Sequence, residues 1–305
     1  MADVTMGIFY FLFGVFGIFL NLWVIYIINR DKKFQNPTLK LMVQLAIGET
    51  ISLVANLLCP GIVLLANIDK EATPDMLLRL ISYWDECGFR ATNYWMVLIS
   101  FSRWVCFANK YVLGKIFDHR GHMIACVVIW VCLHLVYSPI LFYTESIVPG
   151  LIGFEYTNST YSQLLSISDK VHDLGAGALE IVFNVLAMAW ISKSKKKILT
   201  PELRALRTQE ILLFVQCSLD SLVYCALIST AYSTIIYGEF TAIRGYVVDA
   251  LFFLNHIDCA IFYLCFNTLV RKNIKTAFLK IRNKLRKSQN VVAIELQAIS
   301  TSGRR

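Results

Sequence analysis

Charged residues are scarce in this sequence. Asp, Glu, Lys and Arg make up 16% of the 305 residues, whereas about 25% is typical of soluble globular proteins. Hydrophobic residues make up 57%, and the mean hydropathy is +0.58. This balance excludes an ordinary soluble domain and indicates a membrane protein. The net charge is +8, and the basic residues lie between apolar runs and at the C-terminus. This placement predicts a lipid bilayer rather than nucleic acid as the partner.

Catalytic and metal-binding motifs are also missing. The chain contains no HExxH, no GxSxG, no CxxC pair and no zinc-ligand spacing. His134, His172 and His256 are isolated, and we interpret them as packing or hydrogen-bonding residues. The nine cysteines all lie in apolar stretches or at their ends, which is typical of small packing residues. The sequence therefore predicts no enzyme, no cofactor and no metal site.

Apolar stretches long enough to cross a bilayer occur seven times, since a spanning helix needs about 20 mostly apolar residues. The predicted spans cover residues 6–28, 39–66, 81–108, 121–143, 172–191, 210–237 and 246–270. The first is too long for the apolar region of a signal peptide, and no small-residue cleavage site follows it. The predicted fold class is therefore an all-α membrane protein, with a seven-transmembrane helix bundle in residues 1–271.

Lysines and arginines are divided unequally between the two sides of these spans. Of the 29, 24 lie on one side, including "KSKKK" at 193–197 and the tail after Val270. Because positive loops stay in the cytoplasm, this predicts a plasma-membrane protein with an extracellular N-terminus and a cytoplasmic C-terminus. The sequon at Asn158 lies in the 144–171 loop, which is extracellular by the same count, so Asn158 is a candidate glycosylation site.

The segment after the last span has an amphipathic pattern. Ile274, Phe278, Ile281 and Leu285 recur at helical spacing among lysines and arginines. This predicts a short eighth helix at about 272–287 that lies on the inner leaflet, although a disordered basic tail is the alternative. The polar end of the 272–305 tail is expected to be disordered.

Several residues at matching depths resemble those of rhodopsin-like G-protein-coupled receptors. Asn21 stands where that family has an Asn in helix one, and "LAIGE", ending in Glu49, stands where it has LAxxD. Trp130 and Pro139 match the Trp and Pro of helix four, and "SRW" at 102–104 stands where the family has D/E-R-Y. The resemblance extends over the whole chain.

Departures from the rhodopsin-like pattern point to a narrower group. The fifth span has no Pro, the sixth has no C-W-x-P, and the seventh has "DCAIF" in place of N-P-x-x-Y. The 144–171 loop has no cysteine for the family's usual disulfide. Together with "EILLFVQCSLDS" and "HIDCAIFYLCFNTLVR", these features resemble the nematode serpentine chemoreceptors, most of all class X (Srx). That resemblance implies a small-molecule ligand and signalling through a heterotrimeric G protein.

Four acidic residues lie within the spans, where ionisable groups are costly and usually face the bundle. They are Glu49, Glu180, Asp220 and Asp258. At 1.5 Å per residue, Asn21, Glu49 and Asp258 reach similar depth, and the receptor resemblance implies that a sodium ion or a proton is held there. For Glu180 and Asp220, hydrogen bonding between helices as neutral acids is the alternative.

A ligand is expected to bind in the outer half of the bundle, because only about six residues precede the first span. Arg90, Asn93 and Tyr94 can share one face of the third span. The candidate ligand-binding residues, all at similar height, are Arg90, Asn93, Tyr94, Tyr137 and Asp249. Arg90 either binds an acid or another acceptor on a small, mostly apolar ligand, or pairs with the neighbouring Asp85 or Glu86.

A lone arginine, Arg103, stands at the inner end of the third span. It is either a snorkelling anchor or, as the resemblance implies, the arginine that switches the receptor. Ser102 replaces the acidic neighbour that usually restrains that arginine. The candidate residues for coupling to a G protein, all at inner helix ends, are Arg103, Lys195, Lys196, Lys197, Arg204 and Arg207.

A transporter or channel that uses the mid-membrane carboxylates is the alternative function. Transporters of that kind usually contain internal repeats or broken helices. No two-fold repeat is visible, and glycines do not interrupt matched spans. The pattern therefore favours a receptor.

Overall fold

The computed structural model describes most of the predicted helical part of the chain. The described residues are 2–30, 37–66, 75–108, 112, 115–117, 119–141, 147–149, 154–156, 160–193, 201–232, 242–266 and 271. Several predictions fall outside them, namely Lys195, Lys196, Lys197, Asn158 and the eighth helix at 272–287. The side chains of Arg204 and Arg207 are likewise outside the description, although the backbone there is helical.

Seven helical spans form the bundle, as the sequence predicts. The first is Ala2–Arg30, the third is Asp75–Ala108, the fifth is Thr160–Lys193 and the sixth is Pro201–Tyr232. The second consists of Pro37–Leu53, a π-helical turn at Val54–Leu58, and Cys59–Leu65. The fourth is His119–Tyr137 with a 3-10 turn at Ser138–Leu141, and the seventh consists of Ala242–Asn255 and Asp258–Phe266.

The third span is the central helix of the bundle. It packs most extensively against the second and fifth spans, and also against the fourth and sixth. Five other helices, and the bent seventh span, are long and apolar enough to cross a membrane, whereas the third is more polar. Its polarity is tolerated because neighbouring helices, rather than lipid, surround it.

The distribution of polar and apolar residues is that of a membrane bundle. Large apolar side chains lie on the outside, with Leu135 70% exposed and Leu222 65% exposed. Acidic side chains lie inside, with Glu49 1% exposed and Glu180 fully buried. Hydrocarbon can solvate the apolar exterior, while the acids are kept away from it.

A proline explains the irregular turn of the second span. Pro60 has no N–H, and its ring crowds the carbonyl four residues earlier, which belongs to Asn56. The chain responds with a π-helical turn over Val54–Leu58, in which the Cys59 N–H donates to the carbonyl of Val54. Turns of this kind relieve a disrupted ladder by inserting one extra residue.

Every span begins before its predicted start, the fifth and sixth by the most, and the seventh is bent. The fifth begins at Thr160, twelve residues before the predicted start at 172. The seventh bends by 48° between Asn255 and Asp258, although the sequence has neither Pro nor Gly at that point. A short antiparallel ribbon, which the sequence does not predict, pairs Ile147–Pro149 with Phe154–Tyr156 in the loop before the fifth span.

Glycines allow the first and second spans to approach closely. A Cβ added at Gly61 would lie 2.7 Å from the backbone nitrogen of Phe11, which is too close for any real contact. Small residues at such crossings are typical of membrane helices, because they permit backbone-to-backbone packing.

Gly61→Ala is expected to lower the stability of the bundle by about 1–3 kcal/mol, since the new methyl group must push the first span away. Gly175→Ala is the matched control, because nothing lies within 4 Å of a Cβ at that position. The unfolding temperatures of both purified variants can be measured from the temperature at which the buried thiols of Cys87 and Cys106 become reactive. Equal unfolding temperatures for the two variants would contradict the close crossing.

Candidate functional site

A buried charged cluster surrounds Arg90 of the third span, in the half of the bundle that the charge pattern of the sequence predicts to be the outer one. Arg90 is only 4% exposed. Its guanidinium contacts Asp169 of the fifth span at 3.2 Å and Glu86, one turn earlier, at 3.4 Å. It also forms an ion pair with Asp173 of the fifth span. We name Glu86, Arg90, Asn93, Asp169 and Asp173 the outer cluster.

Neutral donors from two other spans, the fourth and the sixth, also bond to the aspartates of the outer cluster. Tyr137 of the fourth span donates to Asp169 at 2.8 Å. Tyr224 of the sixth span donates to the backbone carbonyl of Asp173 at 3.3 Å, and Tyr232 donates to its carboxylate. The outer cluster therefore ties the third, fourth, fifth and sixth spans together.

The structure brings three of the five candidate ligand residues to this cluster. Arg90 and Asn93 are members, and Tyr137 contacts it through Asp169. Tyr94 is 37% exposed and packs edge-on against the ring of His172. Asp249 lies at a different interface, where it accepts a hydrogen bond from Tyr10 of the first span.

Of the two interpretations of Arg90, the contacts support pairing within the protein. The partners differ from those expected, because the nearest carboxylates include Asp169 and Asp173 of the fifth span. Glu86 also pairs with Arg90, as predicted. Asp85 instead accepts hydrogen bonds from Ser52, at 3.3 Å, and from Asn56 in the π-helical turn.

The predicted acidic group at mid-membrane is assembled in the core. Asn21 is fully buried, and its Nδ2 donates to the backbone carbonyl of His256 at 3.0 Å. The side chain of Glu49 interacts with Asn21, and its carboxylate is close enough to that of Asp258 for direct electrostatic interaction. Asp258 is the first residue of the second half of the seventh span, and its Oδ1 accepts a hydrogen bond from the Cys259 N–H at 2.6 Å.

Two further acids extend this group across the bundle. Asp220 of the sixth span interacts electrostatically with Glu49 and Asp258, and Glu180 of the fifth span interacts with Asp220. All four carboxyl groups belong to residues that are at most 5% exposed. We name Glu49, Glu180, Asp220 and Asp258 the core acids. Like charges this close in a low dielectric cannot all remain ionised unless a cation joins them.

Polar side chains at the bend of the seventh span add to this buried polarity. Asn255 is 2% exposed and His256 is fully buried. Within the described part of the chain, neither the Asn255 amide nor the two ring nitrogens of His256 has a hydrogen-bond partner. His256 packs instead against the rings of Phe252 and Phe89. Such groups are costly to bury without a partner.

A small cavity lies beside Asp220, one of the core acids. It lies between the second, third and sixth spans and is lined by Leu45, Met96, Ile99, Ser100, Cys217, Asp220 and Ser221. The Oδ1 atom of Asp220 is buried and has no hydrogen-bond partner among the described residues. The lining is mostly apolar, and Ser100, Asp220 and Ser221 are its polar residues.

Arg103 is fully buried between the third and sixth spans. Its guanidinium interacts with the thiol of Cys217, one of the cavity-lining residues of the sixth span. A snorkelling side chain keeps its charged head in water, so this burial does not fit the anchor interpretation. Among the described residues, no group of three or more His, Cys, Asp or Glu side chains is arranged to hold a metal ion.

The geometry agrees with comparisons to known proteins. The structure is similar to the crystal structure of squid rhodopsin, with a TM-score of 0.74 and 15% sequence identity. The match covers 92% of this chain and 86% of the rhodopsin chain. At that identity the likeness shows the seven-helix fold alone. No curated protein matches the chain.

A family model gives the narrower assignment. The model described as "Serpentine type 7TM GPCR chemoreceptor Srt" matches residues 1–288. The broad chemoreceptor resemblance is confirmed, while the class X assignment is not, because the matching family is Srt. The chain belongs to the Srt family of serpentine seven-transmembrane G-protein-coupled chemoreceptors.

Proposed function

We propose that this receptor binds a small molecule at the outer cluster and activates a heterotrimeric G protein at its inner end. The observation that carries the proposal is the order of polar groups along the third span. Arg90 of the outer cluster and Arg103 are thirteen residues apart in one continuous helix, or about 20 Å. The core acids interact with both sites. Glu180 interacts electrostatically with Tyr224, which contacts the outer cluster, and with Cys217, which contacts Arg103.

In the orientation that we propose, the outer cluster lies in the extracellular half of the bundle. The basic loops would face the cytoplasm of a plasma-membrane receptor, with Asn158 glycosylated in the extracellular loop. Lys195, Lys196, Lys197, Arg204 and Arg207 would then lie near the inner end of the bundle, where they and Arg103 can meet an acidic segment of the G protein. The transporter or channel alternative is not favoured by the family assignment.

Nucleotide exchange on purified Gα subunits tests the coupling. Membranes that contain the receptor are expected to accelerate exchange on at least one Gα class above mock membranes, because receptors populate an active state even without ligand. An exchange rate equal to that of mock membranes for every Gα class would contradict the proposal. A second measurement, ion flux into receptor vesicles, would reveal the transporter or channel alternative.

The core acids are expected to make signalling depend on sodium or pH. We propose that Glu49 and Asp258 share a proton or a sodium ion, with Asn21 fixing the geometry through its bond to the seventh span. The double change Glu49→Gln with Asp258→Asn should abolish any sodium or pH dependence of Gα nucleotide exchange, because neither member of the pair can then ionise or release a proton. Asp249→Asn is the control, since that carboxyl belongs to the interface with Tyr10. An unchanged dependence in the double variant would exclude this pair as the sensor.

A further inference from the structure

Asp220 of the sixth span has a buried polar atom that lacks a partner. The residue is 5% exposed, and no hydrogen bond reaches its Oδ1 atom from any residue that the structure describes. The shortage does not depend on the charge of the group. An ionised carboxylate needs donors, and a protonated carboxyl group also needs an acceptor for its hydrogen. Because buried polar groups are normally paired, this exception requires an explanation.

Polar groups of the fifth span do not supply the missing partner. Both carboxyl oxygens of Glu180 and the Oδ1 atom of Asn184 are themselves buried and unpaired within the described ranges. The Nδ2 atom of Asn184 donates to the hydroxyl of Ser221 at 3.0 Å, and that hydroxyl gives its single hydrogen to the Cys217 carbonyl at 2.9 Å. The contact between the fifth and sixth spans is therefore short of partners at several atoms, and Asp220 is one of them.

The small cavity between the second, third and sixth spans lies beside this unpaired acid. Asp220 and Ser221 of the sixth span and Ser100 of the third line it, and it has room for about one molecule the size of water. Buried water is usually held by two to four polar groups, a condition that these three side chains meet. The rest of the lining is apolar, so any occupant must bind through the same three residues.

Water matches the chemistry of this cavity better than an ion does. It both donates and accepts hydrogen bonds, so it can pair with Asp220 whether or not the acid is ionised. A cation would pair only with the ionised form. In addition, no group of three or more His, Cys, Asp or Glu side chains in the described ranges is arranged to hold a metal ion.

We propose that one water molecule is bound in this cavity, held by the carboxyl group of Asp220 and by the hydroxyls of Ser100 and Ser221. It joins the third span to the sixth, and a bridge of this kind is nearly as strong as a direct hydrogen bond. The site is separate from the pair of Glu49 and Asp258. The inference goes beyond the proposed function and does not depend on a ligand or a G protein.

Radiolytic labelling of the purified, full-length receptor tests the bound water. A short X-ray pulse splits water into hydroxyl radicals, which oxidise sulfur side chains next to the molecule that was split. Met96 and Cys217 are each 6% exposed and line the cavity, so they report on it. We expect both to be oxidised several times faster than Met42 and Cys87, which are buried away from the cavity.

Radicals made chemically in the bulk solution provide the comparison. They should oxidise exposed sulfur, such as that of Met188, which is 54% exposed. Met96 and Cys217 should then react no faster than the buried controls. This comparison separates a bound water molecule from transient opening of the bundle to solvent.

Two variants locate the water. Asp220→Leu removes the unpaired carboxyl group, and Ser100→Val replaces a second polar partner with apolar volume. Each should lower the X-ray oxidation of Met96 and Cys217 to the rate of the buried controls. Asp249→Asn, which changes an acid bonded to Tyr10 at another interface, should leave that oxidation intact. If Asp220→Leu fails to fold, the Ser100→Val result decides.

Three results would overturn the inference. The first is X-ray oxidation of Met96 and Cys217 no faster than that of Met42 and Cys87. The second is rapid oxidation of the cavity residues by radicals from the bulk solution, and the third is X-ray oxidation that persists in Ser100→Val.

Discussion

Replacing Arg90 with leucine is expected to destabilise the receptor by about 3–5 kcal/mol, because the substitution leaves buried carboxylates without their cation. Arg90 bonds to Glu86, Asp169 and Asp173 from a position that is 4% exposed. The loss should appear as a lower unfolding temperature in the purified receptor and as a lower level at the cell surface.

Arg30→Leu is the matched control for this prediction. Arg30 is exposed at the end of the first span, where its Nη1 donates to Tyr26 at 2.6 Å, so its loss should change stability little. Adding Asp169→Asn and Asp173→Asn to Arg90→Leu should restore part of the stability, since neutral amides need no counter-ion. Equal effects of Arg90→Leu and Arg30→Leu, or no recovery in the triple variant, would contradict the charge pairing.

Replacing Arg103 with alanine is expected to reduce Gα nucleotide exchange by about tenfold, equal to about 1.4 kcal/mol, while the surface level stays close to that of the unchanged receptor. The physical reason is its location between the third and sixth spans, where it meets Cys217. Outward movement of the sixth span would break this contact and free the guanidinium for a partner.

Arg120→Ala provides the comparison, because Arg120 is an exposed arginine near the start of the fourth span. Its loss removes the same charge from the inner end of the bundle without touching the bundle interior. Normal exchange by Arg103→Ala would restore the anchor interpretation. A parallel loss of exchange and surface level would indicate a structural role for Arg103. Arg103→Lys then distinguishes a structural role from a coupling role, since lysine keeps the charge and loses the planar fork.

The helical architecture could be predicted from the sequence because a span in contact with lipid needs about 20 mostly apolar residues in a row. The sequence predicts the third span over 81–108 although that span is polar, since enough of its length is apolar; the helix itself covers Asp75–Ala108. The bend between Asn255 and Asp258 could not be predicted, because no Pro or Gly marks it. The bond that Asn21 donates to the His256 carbonyl within the bend joins residues 235 positions apart in the sequence.

The site was only partly accessible to sequence reasoning. Arg90 and Asn93 were found because they share one helical face, but their partners Asp169 and Asp173 were missed. Hydropathy predicts that the fifth span starts at 172, which leaves Asp169 in the predicted 144–171 loop. The i, i+4 spacing of Asp169 and Asp173 was the available signal, since it puts both on one face of a helix that begins at Thr160.

The extra residue in the turn Val54–Leu58 changes how the second span must be compared with relatives. One residue corresponds to about 100° of rotation in an α-helix, so the segment Cys59–Leu65 is turned by that amount relative to an uninterrupted continuation of Pro37–Leu53. An alignment that runs without a gap through 54–58 therefore assigns the outer residues of this span to the wrong face whenever the relative has a regular helix there. Gly61 would be compared with a position that faces away from the first span, and its requirement for a small side chain would disappear from the family pattern.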